Sequence, residues 1–480
     1  MSTASNAQPP GRAGNGAGLN PHAPSTLLPL WFMLTGLLAL AGGVVALVVR
    51  PAILATYHYN HAAISVTHLV VLGWICTVVM GAMYQLVPVA LETKLYSERL
   101  ARWQFVLHVA GFSGMVWMFW TWNLEQVGHF GSVLTIGVVL FVYNLVRTLL
   151  HVRRWNVIST AVACAPAWLS LAVLAGLTLL AGKCSYDSAP TLAPANPFGL
   201  LLRGLRMVAT LPAHFDAISA MHAHAHLGAV GLFLMLMVGV SYKLAPMFTL
   251  SEVQDSRRAM ASLLLLNAGL AGSFVTILFQ SRLKPAFAVV VIAGLAIYGL
   301  EMAAILRARK RRALDWGVKQ FLAAMALLAP LSLLALVLSW PTLPVTAFTG
   351  QLENLYGFLG LMGVISFGIL GMLYKIIPFF IWYHSYSRQV GRCKVPALAD
   401  LYSARVQAAG FWIYLAGLAA TSVGIVLGNG LVVQCGATVL GLSLAALAKN
   451  IITMLGHLLR PAIKPLPARS GPLPTAIQRT

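Results

Sequence analysis

Residues 226–246, HLGAVGLFLMLMVGVSYKLAP, contain the pattern that decides the fold, because the pattern occurs three times in the chain. Residues 68–88 read HLVVLGWICTVVMGAMYQLVP, and residues 358–378 read FLGLMGVISFGILGMLYKIIP. In all three stretches Gly stands 5 and 13 residues after the first position, Tyr 16 residues after it and Pro 20 residues after it. Recurrence at four fixed offsets predicts an internal repeat.

Each copy of the pattern lies in a long apolar run, and the chain contains about a dozen such runs. A run of about 18 apolar residues matches the hydrocarbon thickness of a bilayer, and backbone groups in lipid must be bonded within the segment. The runs therefore predict transmembrane helices. We place them at 26–49, 61–90, 101–122, 128–149, 157–182, 218–247, 258–281, 285–307, 316–340, 351–381, 405–427 and 431–457.

The repeats fall in the second, sixth and tenth of these helices, so the fold is predicted as all-α and polytopic, with three pseudo-symmetric units of four helices. A single membrane domain would cover residues 25–460, with units at about 25–155, 156–312 and 313–460. Residues 1–24 are rich in Gly, Pro, Asn and Ala, and are predicted to be a disordered cytoplasmic tail. Residues 461–480 are predicted to be a second cytoplasmic tail.

The composition excludes a soluble protein, since 59% of the residues are hydrophobic and 9% are charged.

The net charge of +21 is unevenly distributed and indicates membrane orientation, not nucleic-acid binding. With the N-terminus in the cytoplasm, the cytoplasmic side holds 26 of the 32 Lys and Arg. Both termini are therefore expected in the cytoplasm of a bacterium, in a multi-pass protein of its inner membrane. The six on the opposite side are Arg50, Lys183, Arg203, Arg206, Arg282 and Lys284.

The first position of the repeat is His68 in unit one, His226 in unit two and Phe358 in unit three. The sixth helix also carries His222 and His224, which gives three histidines in five residues. An unpaired imidazole is costly in lipid, so this cluster is expected to have a function. At 100° per residue His222 and His226 share one face of the helix, and His224 points about 160° away from that face.

Three interpretations of these histidines remain open. Neutral imidazoles from two facing helices could bind haem iron. They could instead form a proton relay or a copper site. In the third interpretation they only cap the outer end of the sixth helix.

The pattern HxH followed by the two glycines, Tyr and Pro resembles the tenth helix of subunit I of the cbb-type haem–copper oxidases. His224-Ala-His226-Leu matches the HxH, and the second helix repeats the His, Leu, Gly, Trp run as His68, Leu72, Gly73 and Trp74. The chain also resembles the NnrS family of twelve-helix haem- and copper-containing proteins linked to nitric oxide stress. The oxidase resemblance implies twelve helices in three arcs. It also implies that His226 and His68 are ligands of a low-spin haem and that His224 is a ligand of a high-spin haem.

The chain departs from the oxidase pattern in its ligand set. The HxH lies in the sixth helix instead of the tenth, Phe358 replaces a histidine in the tenth, and the seventh helix has no histidine. A complete oxygen-reducing haem–copper centre is therefore not supported.

The favoured hypothesis is a cytochrome oxidase subunit I-like protein that binds haem b through His68 and His226. His222 and His224 would complete a second haem or copper site. Such a protein would transfer electrons from a periplasmic donor or quinol, or would bind, sense or reduce nitric oxide or oxygen. If it is an enzyme, it is expected to be a haem-dependent oxidoreductase. A copper or cation transporter and a cofactor-free structural subunit are the alternatives.

Overall fold

The computed structural model describes residues 26–187 and 215–465, and twelve long helices lie in these ranges. The predicted tail 1–24 lies outside the described residues, as do residues 466–480 of the other tail. The helices are α1 Leu27–Val49, α2 His61–Ala90, α3 Glu98–Trp120, α4 Leu124–Leu149, α5 Val157–Asp187, α6 Ala217–Thr249, α7 Ser256–Leu278, α8 Lys284–Arg307, α9 Trp316–Leu338, α10 Ala347–Gln389, α11 Ala404–Val426 and α12 Gly430–Leu459.

Within the described ranges, eleven helices are long and apolar enough to cross a membrane. The twelfth is α3, which has 23 residues and is less apolar, since it carries Glu98, Gln104 and His108. It packs along its whole length against α4, as α7 does against α8 and α11 against α12. The chain is therefore a polytopic helical membrane protein of the predicted class.

The helix bounds differ from the predicted bounds chiefly in unit three. α10 continues to Gln389, beyond the predicted end at residue 381. α9 is interrupted at Leu327, three residues before Pro330, whose missing N–H and ring disturb the preceding turn.

In the predicted tail 461–480, the strand β2 Lys464–Pro465 pairs with β1 Cys393–Lys394, so this tail begins as ordered structure.

The second glycine of each repeat copy lies where the second helix of a unit crosses the first. A Cβ on Gly81 of α2 would collide with Phe32 of α1, and one on Gly239 of α6 would collide with Ala161 of α5. A Cβ on Gly371 of α10 would lie 2.7 Å from the carbonyl oxygen of Gly317 in α9. The absence of a side chain lets the two backbones meet at these points.

The first glycine of each copy lies between the first and third helices of its unit. A Cβ on Gly73 would lie 2.9 Å from both Ala39 of α1 and Phe112 of α3. A Cβ on Gly231 would lie 2.6 Å from the side chain of Trp168 in α5. The contact at Gly363 is looser, with 3.3 Å to Leu327 of α9. The repeat glycines therefore serve helix packing.

The three repeat helices share an uncommon backbone feature. Each contains eight π-helical residues, at Leu69–Cys76, Leu227–Leu234 and Leu359–Ser366. Each π-helical segment begins directly after the first position of the repeat. The segments of α2 and α6 both contact that of α10, where the indole Nε1 of Trp74 donates a hydrogen bond to Ser366 Oγ at 2.9 Å. π-helical turns occur frequently at functional sites.

Gly239→Ala should destabilise the protein, because the new methyl group has no room against Ala161. Overpacking of this kind costs about 1–3 kcal/mol. The measurement is the thermal unfolding temperature of the detergent-solubilised protein. Gly228→Ala in the same helix is the matched control, since nothing lies within 4 Å of its added Cβ. Equal unfolding temperatures for the two variants would show that the α5–α6 contact is looser than described.

Candidate functional site

His68 and His226, at the first position of the repeat, have the same local geometry. Nδ1 of His68 lies 2.8 Å from the carbonyl oxygen of Ile64, and Nδ1 of His226 lies 2.7 Å from that of His222. A carbonyl oxygen only accepts, so each Nδ1 carries the proton and donates it one turn back along its helix. The lone pair of each neutral imidazole is then on Nε2, the nitrogen left for a metal.

The two rings face different neighbours. The ring of His68 packs against Phe119 of α3, with centroids 4.8 Å apart. The ring of His226 stacks on Tyr356 of α10 with centroids 5.8 Å apart, and the Tyr356 hydroxyl lies 3.3 Å from His226 Nε2. Among the described residues, no hydrogen bond or ring contact joins His68 to His226.

His224 points to the other side of α6, toward α5. Its Cε1 atom lies 3.1 Å from the position that a Cβ on Gly176 would occupy, so the glycine makes room for the ring. Its Nδ1 is buried without a hydrogen-bond partner among the described residues. His68 lies close enough to His224 for a charge on one imidazole to act on the other. His68 is therefore near His224, whereas His226 faces α10.

His222 meets a histidine that the sequence interpretation did not single out. Nε2 of His222 lies 3.1 Å from Nε2 of His58, and the ring centroids are 5.3 Å apart. His58 belongs to the loop between a one-turn helix, Ala52–Ala55, and the start of α2. The run Tyr57-His58-Tyr59-Asn60-His61 is the signal that could have identified it, because it places two imidazoles at the start of a repeat helix.

The loop that carries His58 is fixed to α10 by the amide of Asn354, which is buried. Nδ2 of Asn354 donates to the carbonyl oxygens of Leu54 at 3.1 Å and Thr56 at 2.6 Å. Its Oδ1 lies 3.0 Å from Nδ1 of His58. Gln351 adds one bond, from its Nε2 to the carbonyl oxygen of Ala55 at 2.8 Å.

The pKa of His58 is lowered by burial, and its hydrogen bond to Asn354 acts in the opposite direction. A histidine with a lowered pKa is neutral at pH 7, which is the form that can bind a metal. One acidic side chain lies nearby, since Glu353 Oε2 is 4.0 Å from His58 Nδ1. His58, His222 and Glu353 each offer a donor atom within 4.8 Å of the other two.

The residues present fit a haem in the chemistry of their donors. His68 and His226 each present an Nε2 lone pair, and His224 has a buried nitrogen without a partner. A buried polar atom of this kind is costly unless something bonds to it. The space at Gly176 is taken by the His224 ring and that at the repeat glycines by neighbouring helices, so the fit rests on the imidazoles.

Comparison with known proteins agrees with this class of fold. A family model described as "Cytochrome C and Quinol oxidase polypeptide I" matches residues 19–128. The matched range includes α1, α2 and α3, and therefore His68 and the first copy of the repeat. No curated protein matches the chain.

The fold is that of a multi-pass helical membrane protein. Over residues 19–128 the chain is similar to subunit I of the haem–copper oxidases, which is the superfamily that the histidine and glycine motifs resemble.

Asn354→Leu should detach the loop that carries His58, because Leu keeps the branched shape and leaves two backbone carbonyl groups without donors. A fully buried group left unsatisfied costs about 1–3 kcal/mol, and the cost is smaller at Thr56, which is exposed. A fall in the thermal unfolding temperature is the expected result. Gln351→Leu, which removes one bond to the same loop, should give a smaller fall. A larger fall for Gln351→Leu would contradict the role given to Asn354.

Proposed function

We propose that the chain is a haem-binding membrane protein of the cytochrome oxidase subunit I type, in which His68 and His226 bind haem b. The observation that carries the proposal is their shared geometry: each Nδ1 donates to the carbonyl oxygen four residues earlier, which leaves Nε2 for iron. When bound, haem supplies one-electron transfer and the binding of diatomic gases. The chain's residues orient the ligands and exclude water and lipid from them.

His224 and His222 would extend this function with a second haem or with copper. Nδ1 of His224 is buried, and His68 lies close enough for a charge on one imidazole to act on the other, so His224 is the second candidate for sharing an iron with His68. In the free protein the Tyr356 hydroxyl donates to His226 Nε2, and it would have to turn away when a metal binds there.

The proposed role is electron transfer, or the binding, sensing or reduction of nitric oxide or oxygen. Electrons would come from a periplasmic donor or from quinol, because the ligands lie near the end of the bundle that is predicted to face outward. If the protein turns over, it acts as a haem-dependent oxidoreductase. A complete oxygen-reducing haem–copper centre is not proposed, since the first position of the third repeat copy is Phe358 and not a histidine.

The purified protein should show a Soret band that shifts on reduction with dithionite. The double substitution His68→Ala and His226→Ala should abolish this band, because a haem without axial ligands dissociates. His129→Ala, which removes an exposed imidazole at the start of α4, is the control and should keep the band. A band unchanged in the double variant, or absent from the starting protein, would exclude haem binding by these residues.

The variant His224→Ala distinguishes two possible pairs of iron ligands, His68 with His226 and His68 with His224. If His68 and His226 share the iron, His224→Ala should retain the low-spin spectrum that His226→Ala loses. If His68 pairs with His224, the outcomes are reversed. Reduced-minus-oxidised spectra of the two single variants decide between these pairs, and thermal unfolding checks that both variants fold.

We also propose that both termini lie in the cytoplasm of a bacterium and that the protein spans its inner membrane. The cluster Arg307, Arg309, Lys310, Arg311 and Arg312 follows α8 and supports this orientation. A green fluorescent protein fused after Arg312 should fluoresce. Alkaline phosphatase fused after Arg282, in the loop before α8, should be active. The reverse pattern would invert the proposed topology.

A further inference from the structure

The ends of three elements that are distant in the sequence meet at His58, His222 and Glu353. His58 precedes α2, His222 lies in the second turn of α6, and Glu353 lies in the second turn of α10. One donor atom from each lies within 4.8 Å of the donor atoms of the other two. The two closest atoms are the Nε2 nitrogens of the histidines, at 3.1 Å.

The hydrogen bonds of Asn354 decide which nitrogen of His58 is available. The Asn354 amide nitrogen donates to the carbonyl groups of Leu54 and Thr56, so its oxygen must be the atom that faces His58. That oxygen only accepts, and Nδ1 of His58 therefore carries the proton. The Nε2 lone pair of His58 then points at His222. An amide oxygen that fixes the tautomer in this way is typical of the outer hydrogen bonds around metal-binding histidines.

The third donor, Glu353, completes the set with a negative charge. The side chain of Glu353 is 35% exposed and that of His58 is 21% exposed, so an ion can reach both from the surface. Lys284 and Asp216 supply the other charges that act on this cluster. Two imidazoles and one carboxylate suit Zn²⁺ and related divalent transition metals, with a further position left for water.

We propose that His58, His222 and Glu353 form a binding site for a divalent transition-metal ion, best suited to Zn²⁺. The site uses neither His68 nor His226, the proposed haem b ligands, and because it takes His222, only His224 would remain for a second haem or for copper. A bound ion would fasten the loop before α2 to the ends of α6 and α10. The two Nε2 atoms need to separate only slightly, because ligands of a tetrahedral zinc at about 2.0–2.1 Å lie about 3.3 Å apart. The proton on Nε2 of His222, which makes the hydrogen bond to His58, moves to Nδ1 of His222 when the ion binds, and the Glu353 carboxylate moves closer from its position within 4.8 Å.

The test uses the full chain without a polyhistidine tag, purified in detergent, treated with a chelator and loaded with Zn²⁺. After desalting, elemental analysis should find one Zn²⁺ per chain, and calorimetry should give a single site. His58→Ala and Glu353→Gln should each weaken zinc affinity at least tenfold. His129→Ala, an exposed imidazole outside the cluster, should leave both results unchanged.

Two further measurements distinguish loss of the zinc site from misfolding and from failure of the proposed haem function. Asn354→Ala retains all three ligands and should still weaken zinc affinity, by about 10–100-fold. The Soret band of His58→Ala and Glu353→Gln should match that of the unsubstituted protein, which shows that they fold and that haem binding is independent. Absence of zinc from the loaded protein, or equal affinity in His58→Ala and Glu353→Gln, would reduce the cluster to a hydrogen-bonded pair and overturn the proposal. A protein that binds zinc but shows no Soret band would retain this site and lose the proposed haem function.

Discussion

Close contact between neighbouring helices at glycine is the constraint on which this bundle depends. Lipid is as apolar as a leucine side chain, so burial of apolar groups does not hold membrane helices together, and packing must do so. At Gly81, Gly239 and Gly371 the second helix of each unit lies directly against the first, and no side chain would fit between them. Because these glycines hold equivalent positions, α2, α6 and α10 cross their neighbours in equivalent ways.

That packing also determines where the histidines lie. The π-helical segments begin at Leu69, Leu227 and Leu359, one residue after the first position of the repeat. Trp74 and Ser366 join two of these segments in the buried centre of the bundle. His68 and His226 therefore precede a buried region, and each directs its Nδ1 proton to its own helix. The same backbone geometry is present at Phe358, which has no ligand to offer.

The outer ends of the repeat helices are fixed by polar contacts, in contrast to the glycine contacts of the interior. Asn354 links the loop before α2 to α10 and sets the tautomer of His58. His222 reaches the same loop from α6, so one short segment connects two units with the third. His222 and His226 lie on the side of α6 that faces α10, and His224 lies on the side that faces α5, so the end of this helix presents imidazoles in two directions.

The sequence by itself determined the helical membrane fold, because the length of an apolar run and the need to bond every backbone group in lipid leave no other choice. It also determined the repeat and the equivalence of His68 with His226, since both are fixed offsets along the chain. Only the tertiary structure decided which imidazoles lie together. The contact of His222 with His58 spans 164 residues, and the position of Glu353 depends on how α10 packs against the loop before α2. Offsets within one helix give the direction of a side chain, but the neighbour that it meets is set by the packing of separate helices.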